Sequence, residues 1–356
     1  MDKNIFTSPE ETIIQALKKL DETATKVLIV LDENQRLLGT LTDGDIRRYI
    51  IKYGKLEGTV KDIYNKNPTF LEENFDIEKA RRIFLEKKIQ LIPIVNKNKK
   101  VVSYLLWTDI FSEKEIKQLT KNPQLNIPVV IMAGGKGTRL KPFTQVLPKP
   151  LIPIGTKTAV EHIIDRFREF GVKNFFLTLN YKGKIIEAYF NSIEEKDYEI
   201  NYIWEEEFLG TAGSLKFLED KIEDNFIVSN CDILVSADFN EALQLHKKQN
   251  ASLTSITSIK HYKIPYGVVK TTNDGNVIEI EEKPEFSFQI NTGVYILSKK
   301  VLKYIPEGKF FDMPQLIEKL IQNGEKVFAY PVNENDYIDI GQWKEYKEAI
   351  EKLGVL

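Results

Sequence analysis

The chain has 356 residues, 42% of them apolar and 29% charged, with a net charge of −2. That length exceeds one small core and predicts two or three domains. The near-neutral balance, with basic residues scattered, excludes a general binder of nucleic acid or acidic membrane. No apolar run approaches the ~18 residues of a membrane span, and the opening MDKNIFTSPEE is not a signal peptide. A cytoplasmic protein is expected, with no nucleic-acid or membrane partner. The single cysteine, Cys231, excludes an internal disulfide, and the scattered His162, His246 and His261 argue against a zinc site.

The first third repeats itself. The segment from Ile13, IIQALKKLDETATKVLIVLDENQRLLGTLTDGDI, falls without gaps on the segment from Ile77, IEKARRIFLEKKIQLIPIVNKNKKVVSYLLWTDI. Ala16 meets Ala80, Leu20 meets Phe84, Leu28 meets Ile92, Asn34 meets Asn98 and Asp45 meets Asp109. A constant offset with matched apolar positions marks a duplicated unit. Each copy reads as helix, strand, polar turn, strand, helix. A unit this small buries little surface alone, so the two copies are expected to pack together.

This region resembles a tandem pair of cystathionine-β-synthase-type (CBS) domains, over about residues 1–60 and 65–118. Its most specific element is GTLTDGDI, Gly39 to Ile46. The resemblance implies that Thr42 contacts a phosphate and Asp45 the ribose hydroxyls of an adenine nucleotide, with Arg47 or Arg48 near the phosphate. The second copy keeps Asp109 but has Leu106 where Thr42 stands. The alternative is a scaffold that mediates dimerisation, and a homo-oligomer is expected. Residues Phe111 to Asn126 read as a short helix and a polar connection, punctuated by Pro123 and Pro128.

The second region, 126–356, begins with VVIMAGGKGTRLK, a short apolar strand running into a loop of glycines and cations. It is not GxxxxGK[ST], because Lys136 is followed by Gly137, and it is not GxGxxG, because Leu140 stands at the third position. Glycines let a backbone approach phosphates and turn its N–H groups inward. Arg139 offers a planar fork for pyrophosphate oxygens, and Lys149 is held stiffly between Pro148 and Pro150. Downstream, HIIDRFREFG reads as an amphipathic helix ended by Gly171, followed by the strand KNFFLTLN. FIVSNCD is an apolar run ending in a carboxylate, as a buried central strand reads. Strands ending near Met132, Leu179 and Ser229 alternate with helices. The expected fold is therefore α/β, a mostly parallel open sheet with ligands at the carboxyl ends of its strands.

With GGxGTRLxP followed by PKP, this region resembles the sugar-1-phosphate nucleotidylyltransferases, a Rossmann-like family. Later landmarks appear in order: EEEFLGTAGSL from Glu205, IVSNCDIL to Leu234, YGVV from Tyr266, EEKP from Glu281, INTGVYIL from Ile290 and DIG from Asp339. The resemblance implies that Ala133, Gly134, Gly135, Gly137, Thr138, Gly210 and Thr211 bind the nucleotide. Gly267, Glu282, Lys283, Asn291 and Thr292 are then expected to bind the sugar phosphate, and Asp232 and Asp339 to hold Mg²⁺. Arg139, Lys149, Asp232 and Lys283 form the expected catalytic set: Arg139 for the departing pyrophosphate, Lys149 for the nucleotide phosphates, Lys283 for the sugar phosphate. No general base is required, because a phosphate monoester is already ionised at pH 7.

Each residue also has a plainer reading. Asp232 caps a turn, Asp339 is the N-cap of the tail helix, and Glu282 belongs to a solvated charge cluster. Cys231 is expected to be a small buried residue and His261 a loop histidine. GTAGS after an acidic run is most similar to the guanylyltransferase branch, and a CBS pair before such a domain resembles the glucosamine-1-phosphate guanylyltransferases of legionaminic acid biosynthesis. GTP is therefore the expected nucleotide and a hexose or hexosamine 1-phosphate its partner. UTP or dTTP is the alternative, and a catalytically dead nucleotide sensor the reading from a different class. No hexapeptide repeat occurs, so no fused acyltransferase domain is expected.

Overall fold

A computed structural model describes residues 5–23, 25–112, 115 and 124–352. The expected short helix at Phe111 to Asn126 falls largely outside the described residues. The chain divides into two compact units, Met1–Thr120 with Ile259–Gln289, and Lys121–Ser258 with Ile290–Leu356. Among the described residues no helix is long and apolar enough to cross a membrane.

The first unit shows the duplication. One copy runs β1 (Phe6–Thr7), α1 (Ile13–Glu22), β2 (Val27–Leu31), β3 (Leu37–Thr42), α2 (Asp43–Tyr53). The other runs β4 (Leu71–Glu72), α3 (Ile77–Lys87), β5 (Leu91–Val95), β6 (Val101–Leu106), α4 (Trp107–Ile110). Each copy makes a three-stranded sheet, β1-β2-β3 or β4-β5-β6. Even the turns repeat. Asp32 Oδ1 accepts from the Asn34 and Arg36 amides, and Asn96 Oδ1 from those of Asn98 and Lys100. Gln35 and Lys99, at equivalent places, both take positive φ, 63° and 60°. The copies pack together as expected. Leu37 N–H donates to Lys99 O and Val101 N–H to Gln35 O. Val27, Ile29, Leu91, Val95 and Val101 form a shared core. Helix α1 buries Ile13, Ala16, Leu17 and Leu20, its i, i+3, i+4, i+7 face.

The second unit is built on a seven-stranded sheet. Its strands begin with β7 (Val129–Met132), which is followed by a small hairpin, β8 (Pro153–Ile154) and β9 (Lys157–Thr158). Then come β10 (Asn174–Leu179), β11 (Glu199–Trp204), β12 (Asn225–Asn230) and β13 (Ile233–Val235). Strand β14 (Leu253–Lys263) leads to the hairpin β15 (Val268–Thr271) and β16 (Val277–Glu281), and β17 (Glu285–Ser298) returns. Last are β18 (Val327–Val332) and β19 (Tyr337–Asp339). The sheet order is β11-β10-β7-β12-β17-β14-β18. Strands β11, β10, β7 and β12 are parallel, as is the β14–β18 pair, while β17 runs antiparallel to β12. This is the mostly parallel α/β sheet expected. Strand β7 is buried on both faces: Val129 and Ile131 join one core with the helices Ala159–Arg168 and Phe239–Lys248, and Val130 and Met132 join another with the helix Met313–Gln322. Alternate side chains of a strand point to opposite faces, so a continuous apolar run marks a strand covered on both sides.

The segment Ile259–Gln289, an arm formed by the far ends of β14 and β17 and the β15–β16 hairpin, belongs to the first unit. The sequence assigns it with the second region. His261 is not a loop residue: it lies on β14, and its Nδ1 pairs with Ser287 Oγ at 2.7 Å on β17. The apolar run that continues through Ile256 and Ile259 carries the strand past the point where the sequence suggests a loop.

Candidate active site

Four parallel strands end at one edge, and a loop follows each. After β7, Ala133 donates its N–H to Thr178 O at 3.1 Å, so the glycine loop starts anchored to β10. Gly134 has no room for a side chain: a Cβ would lie 2.9 Å from Glu205 Oε1. Gly137 takes φ 61°, and a Cβ there would lie 2.8 Å from Lys149 Cβ. Around Gly135 the same test meets nothing within 4 Å, which leaves the loop's approach open. Thr138–Leu140 make a single tight turn, with Arg139 and Thr138 exposed.

The two expected metal ligands come together through a long-range pairing. Asp232 lies just past β12, and β13 then pairs antiparallel with β19, placing Ile233 opposite Asp339. Ile340 N–H donates to Asp232 O at 2.8 Å, and Gly341 N–H to Asp339 Oδ1 at 2.6 Å. A Cβ on Gly341 would stand 2.5 Å from Asp232 Oδ2, 2.7 Å from Asp339 Oδ1 and 3.2 Å from Lys149 Nζ. Three charged atoms thus converge on one point. Lys149 donates to Asp232 Oδ2, and both side chains are largely buried. Burial pushes the Asp339 carboxyl above its usual range and Asp232 adds to this, while the Gly341 amide, Lys149 and Arg139 oppose it. Two carboxylates beside one ammonium, with the Asp339 carboxyl not itself ion-paired by that ammonium, leave room for a second cation at this point. Mg²⁺ commonly binds one or two carboxylates and completes its shell with water and substrate phosphate, so the donor set fits it. Among the described residues no group of three or more potential ligands occurs.

Beside this point lies a cavity of 380 Å³ that Arg139, Thr211, Asn230, Asp232, Asn291 and Asp339 help to line. The antiparallel β12–β17 register sets Val294 opposite Ser229, which carries Asn291 to the same end of β12 as Asp232. Asn291 Nδ2 donates to Tyr295 OH at 2.6 Å. Thr292 turns its hydroxyl to Ile256 O at 2.6 Å and is largely buried, and it also lines the cavity. Thr211 is committed as well: its N–H and hydroxyl both donate to Asp312 Oδ1, at 2.9 and 3.1 Å. Gly210 takes φ 81° and could not carry a Cβ, which would meet Asp312 Oδ1 at 2.8 Å. The loop Leu209–Gly213 is therefore zipped to Phe311 and Asp312.

Two residues not singled out in the sequence emerge here. Asp312 reads locally as the N-cap before Met313–Gln322, and its hold on Thr211 spans 101 residues. Glu205 follows β11 directly, is 5% exposed, and takes the Leu209 N–H on Oε2 at 3.0 Å. Its Oε1 has no partner in hydrogen-bond geometry among the described residues and stands beside Gly134. Burial raises its pKa, and the Leu209 amide with the Ser214 and Thr178 hydroxyls pulls the other way. The available signal is its position: a carboxylate at a strand's carboxyl end, as for Asp232.

The remaining expected residues lie in the first unit. On the arm, a Cβ at Gly267 would lie 3.0 Å from Glu282 Oε2, and Lys283 Nζ is 3.7 Å from Glu282 Oε1. Both side chains are exposed, which also suits the solvated-cluster reading of Glu282. Lys283 takes φ 49° immediately before Pro284. That position favours extended backbone, and a non-glycine residue there carries a strain of about 1–3 kcal/mol, a pattern that gathers at ligand clamps. In the CBS pair, Thr42 and Asp45 form a capping box at the start of α2. Asp45 Oδ2 accepts the Thr42 N–H at 2.8 Å and hydroxyl at 2.6 Å, and Arg48 donates to Oδ1 at 2.6 Å. Arg47 pairs with buried Asp43. A cavity of 290 Å³ in this unit is lined near Leu37, Lys66, Phe70 and Lys99, and Thr42 and Asp45 do not line it.

Cys231 is buried, and burial pushes its thiol to about 12, which rules out a thiolate nucleophile near neutral pH. Asp339 is not the tail helix's N-cap, since that helix spans Trp343–Lys352.

Residues 128–354 match the family described as nucleotidyl transferase, and residues 1–52 and 60–115 match the CBS domain. A UTP–glucose-1-phosphate uridylyltransferase of Synechocystis is 33% identical over 240 residues, covering 62% of this chain and 62% of that protein. A mannose-1-phosphate guanylyltransferase of Mycobacterium tuberculosis is 29% identical over 224 residues, covering 62% of this chain and 60% of that protein. The chain thus spans about three fifths of the length of these relatives. The crystal structure of HddC from Yersinia pseudotuberculosis complexed with GMP-PN superposes with a TM-score of 0.51 at 29% identity, over 64% of this chain and 99% of that one. The chain belongs to the nucleotidyl transferase family, with a pair of CBS domains preceding the family's domain.

Proposed function

We propose that this chain is a sugar-1-phosphate nucleotidylyltransferase that transfers GMP from GTP to a hexose or hexosamine 1-phosphate. The observation that carries the reaction class is the convergence of Asp232, Asp339 and Lys149 on one point beside a cavity that Arg139 also lines. Asp232 and Asp339 would hold Mg²⁺, which when bound supplies the positive charge that lets two anionic phosphates approach. The glycine loop offers backbone N–H groups to the triphosphate, and Lys149 is stationed to pass from Asp232 to a phosphate oxygen. Lys283 and Glu282 take the sugar phosphate, and Asn291 a sugar hydroxyl. A sugar-phosphate oxygen attacks the α-phosphorus, the bond to the β-phosphate breaks, and pyrophosphate leaves with its charge met by Arg139. Positioning and electrostatics do the work.

Guanine is taken from the similarity of GTAGS, Gly210 to Ser214, to the guanylyltransferase branch, and Glu205 at the head of the same loop is offered as its partner. Guanine presents N1–H and N2–H as neighbouring donors, and a carboxylate accepts both. Uracil and thymine present one N–H between two carbonyls, which a carboxylate repels. A UTP reading is supported by the Synechocystis relative and is the second choice. Adenine nucleotide at Thr42 and Asp45 belongs to the proposal too, and would have to displace Arg48 from Asp45.

The test is pyrophosphate release from each nucleoside triphosphate with Mg²⁺ and a panel of hexose 1-phosphates. GTP is expected to give the highest kcat/KM, and Glu205→Gln to lower it about ten- to a hundredfold, the scale for a lost buried hydrogen bond. Higher turnover with UTP or dTTP would sink the guanine reading. No pyrophosphate from any pair would sink the transferase reading in favour of a nucleotide sensor.

A further inference from the structure

The arm that carries Gly267, Glu282 and Lys283 has little structure of its own. Every residue of β16 is exposed, and so are three of the four in β15. A two-stranded hairpin exposed on both faces is marginal in water. Something else must hold Lys283 in its left-handed geometry. Two buried anchors lie at the arm's base. Ile259, 2% exposed, is seated in the core of the first CBS repeat, among Ile13, Ala16, Leu17, Leu28 and Leu41. Pro284 is buried, and its carbonyl accepts the Ile264 N–H at 2.9 Å, closing the arm's neck next to Lys283. Immediately beyond, Glu285 forms an ion pair with Lys18 on α1, and that lysine is the main cause holding the Glu285 carboxyl below its usual range. Lys18 is the neighbour of Leu17, so one helix supplies both the apolar seat and the charged clasp.

We propose that α1 of the first CBS repeat is the seat of the sugar-phosphate arm, and that Lys18 and Ile259 are positioning residues for the transfer reaction. They act through Glu285 and the strand ends on the fixed geometry of Glu282 and Lys283. The CBS pair thereby sets affinity for the sugar 1-phosphate, separately from the nucleotide. This rests on the reading of Lys283 and Glu282 as sugar-phosphate ligands.

The experiment uses the full chain with GTP, Mg²⁺ and glucosamine 1-phosphate, or whichever hexose 1-phosphate of the panel turns over fastest. Lys18→Glu and Glu285→Lys are each expected to raise KM for the sugar phosphate about 3- to 10-fold, the size of a partly exposed pair turned into a repulsion. KM for GTP and Tm should stay unchanged. The double variant Lys18→Glu/Glu285→Lys should return KM to within about twofold of the parent, since the pair is re-formed with its charges exchanged. Ile259→Ala should raise the same KM further. Hydrogen exchange of peptides covering residues 264–284 reads the seat without turnover: each single reversal should speed exchange there and the double variant should slow it again. An unmoved sugar-phosphate KM, an equal rise in both KM values, or no rescue by the exchange overturns the proposal. Lys283→Ala separates the two layers. If it raises the sugar-phosphate KM while the Lys18 variants do not, only the seat is wrong. If it leaves that KM unchanged, the assignment of the arm to the sugar phosphate fails and the seat's role fails with it.

Discussion

Gly341→Ala is the smallest change that should dismantle the proposed reaction centre. The added methyl carbon would stand 2.5 Å from Asp232 Oδ2 and 2.7 Å from Asp339 Oδ1. Ordinary contact between a methyl carbon and an oxygen needs about 3.4 Å, so each carboxylate must retreat by most of an ångström. Neither retreat is free. Asp339 Oδ1 is held at 2.6 Å by the Gly341 N–H itself, and Asp232 Oδ2 is held by Lys149. Gly341 does not take a positive φ, so alanine adds no backbone strain and the effect is steric. Overpacking a buried site costs about 1–3 kcal/mol, which lowers Tm by roughly 2–10 °C in a domain of this size. The loss of function should be larger. Two carboxylates moved from their common point lose an electrostatic contact to the reacting phosphates, worth about 10²–10³ in kcat. Pyrophosphate release, measured well below the variant's Tm, gives the rate, and thermal unfolding by circular dichroism gives the stability. Turnover within about threefold of the parent with the same Mg²⁺ dependence would show that the two carboxylates do not act at one point.

Gly135→Ala makes the opposite test, because a Cβ there meets nothing in the protein. Tm should be unchanged while KM for GTP rises by about tenfold or more, and an unchanged KM would remove Gly135 from the nucleotide loop. His246 is buried between Thr254, Asn225 and Ser298, and burial lowers its pKa to about 4. Its folded pKa lies below its unfolded one, so the unfolded chain takes up the proton first. Stability is then lost as pH falls from about 6.5 to 4, by up to about 3 kcal/mol. Urea unfolding across that range should show a steeper decline for the parent than for His246→Gln, and equal slopes would contradict a neutral buried imidazole. Calorimetric titration of AMP into the full chain should find one dominant site, abolished by Asp45→Ala and little changed by Asp109→Ala. Leu106 offers no donor where Thr42 does, a difference of about 1–3 kcal/mol. Two equal sites would refute the asymmetry.

The amino-acid sequence by itself determined the duplication, the order of the elements, the mostly parallel sheet and the glycine loop. The elements rest on signals within a few residues of each other, the 3.6 and 2.0 periods and the apolar run of β7, and the duplication rests on the constant offset that brings the polar turns at Asp32 and Asn96 into register. Tertiary structure alone decided what those elements do for one another. The Asp232–Asp339 convergence depends on β13 pairing with β19, and the Thr211–Asp312 clamp closes over 101 residues. No local pattern encodes such partners, because the free energy that selects them comes from burial and pairing across the whole sheet. Thr42 and Asp45 stand only three residues apart, so their capping contact is local, whereas Glu205, one acid among three in a row, becomes the buried one with an unmet oxygen only in the tertiary structure. The arm shows the limit most plainly. Its residues belong in sequence to the second region, and residues 128–354 match the nucleotidyl transferase family throughout. What the sequence does not display is that Ile259, on β14, also packs in the core of the first CBS repeat, a contact an exposed hairpin that buries little of its own surface can use as a seat.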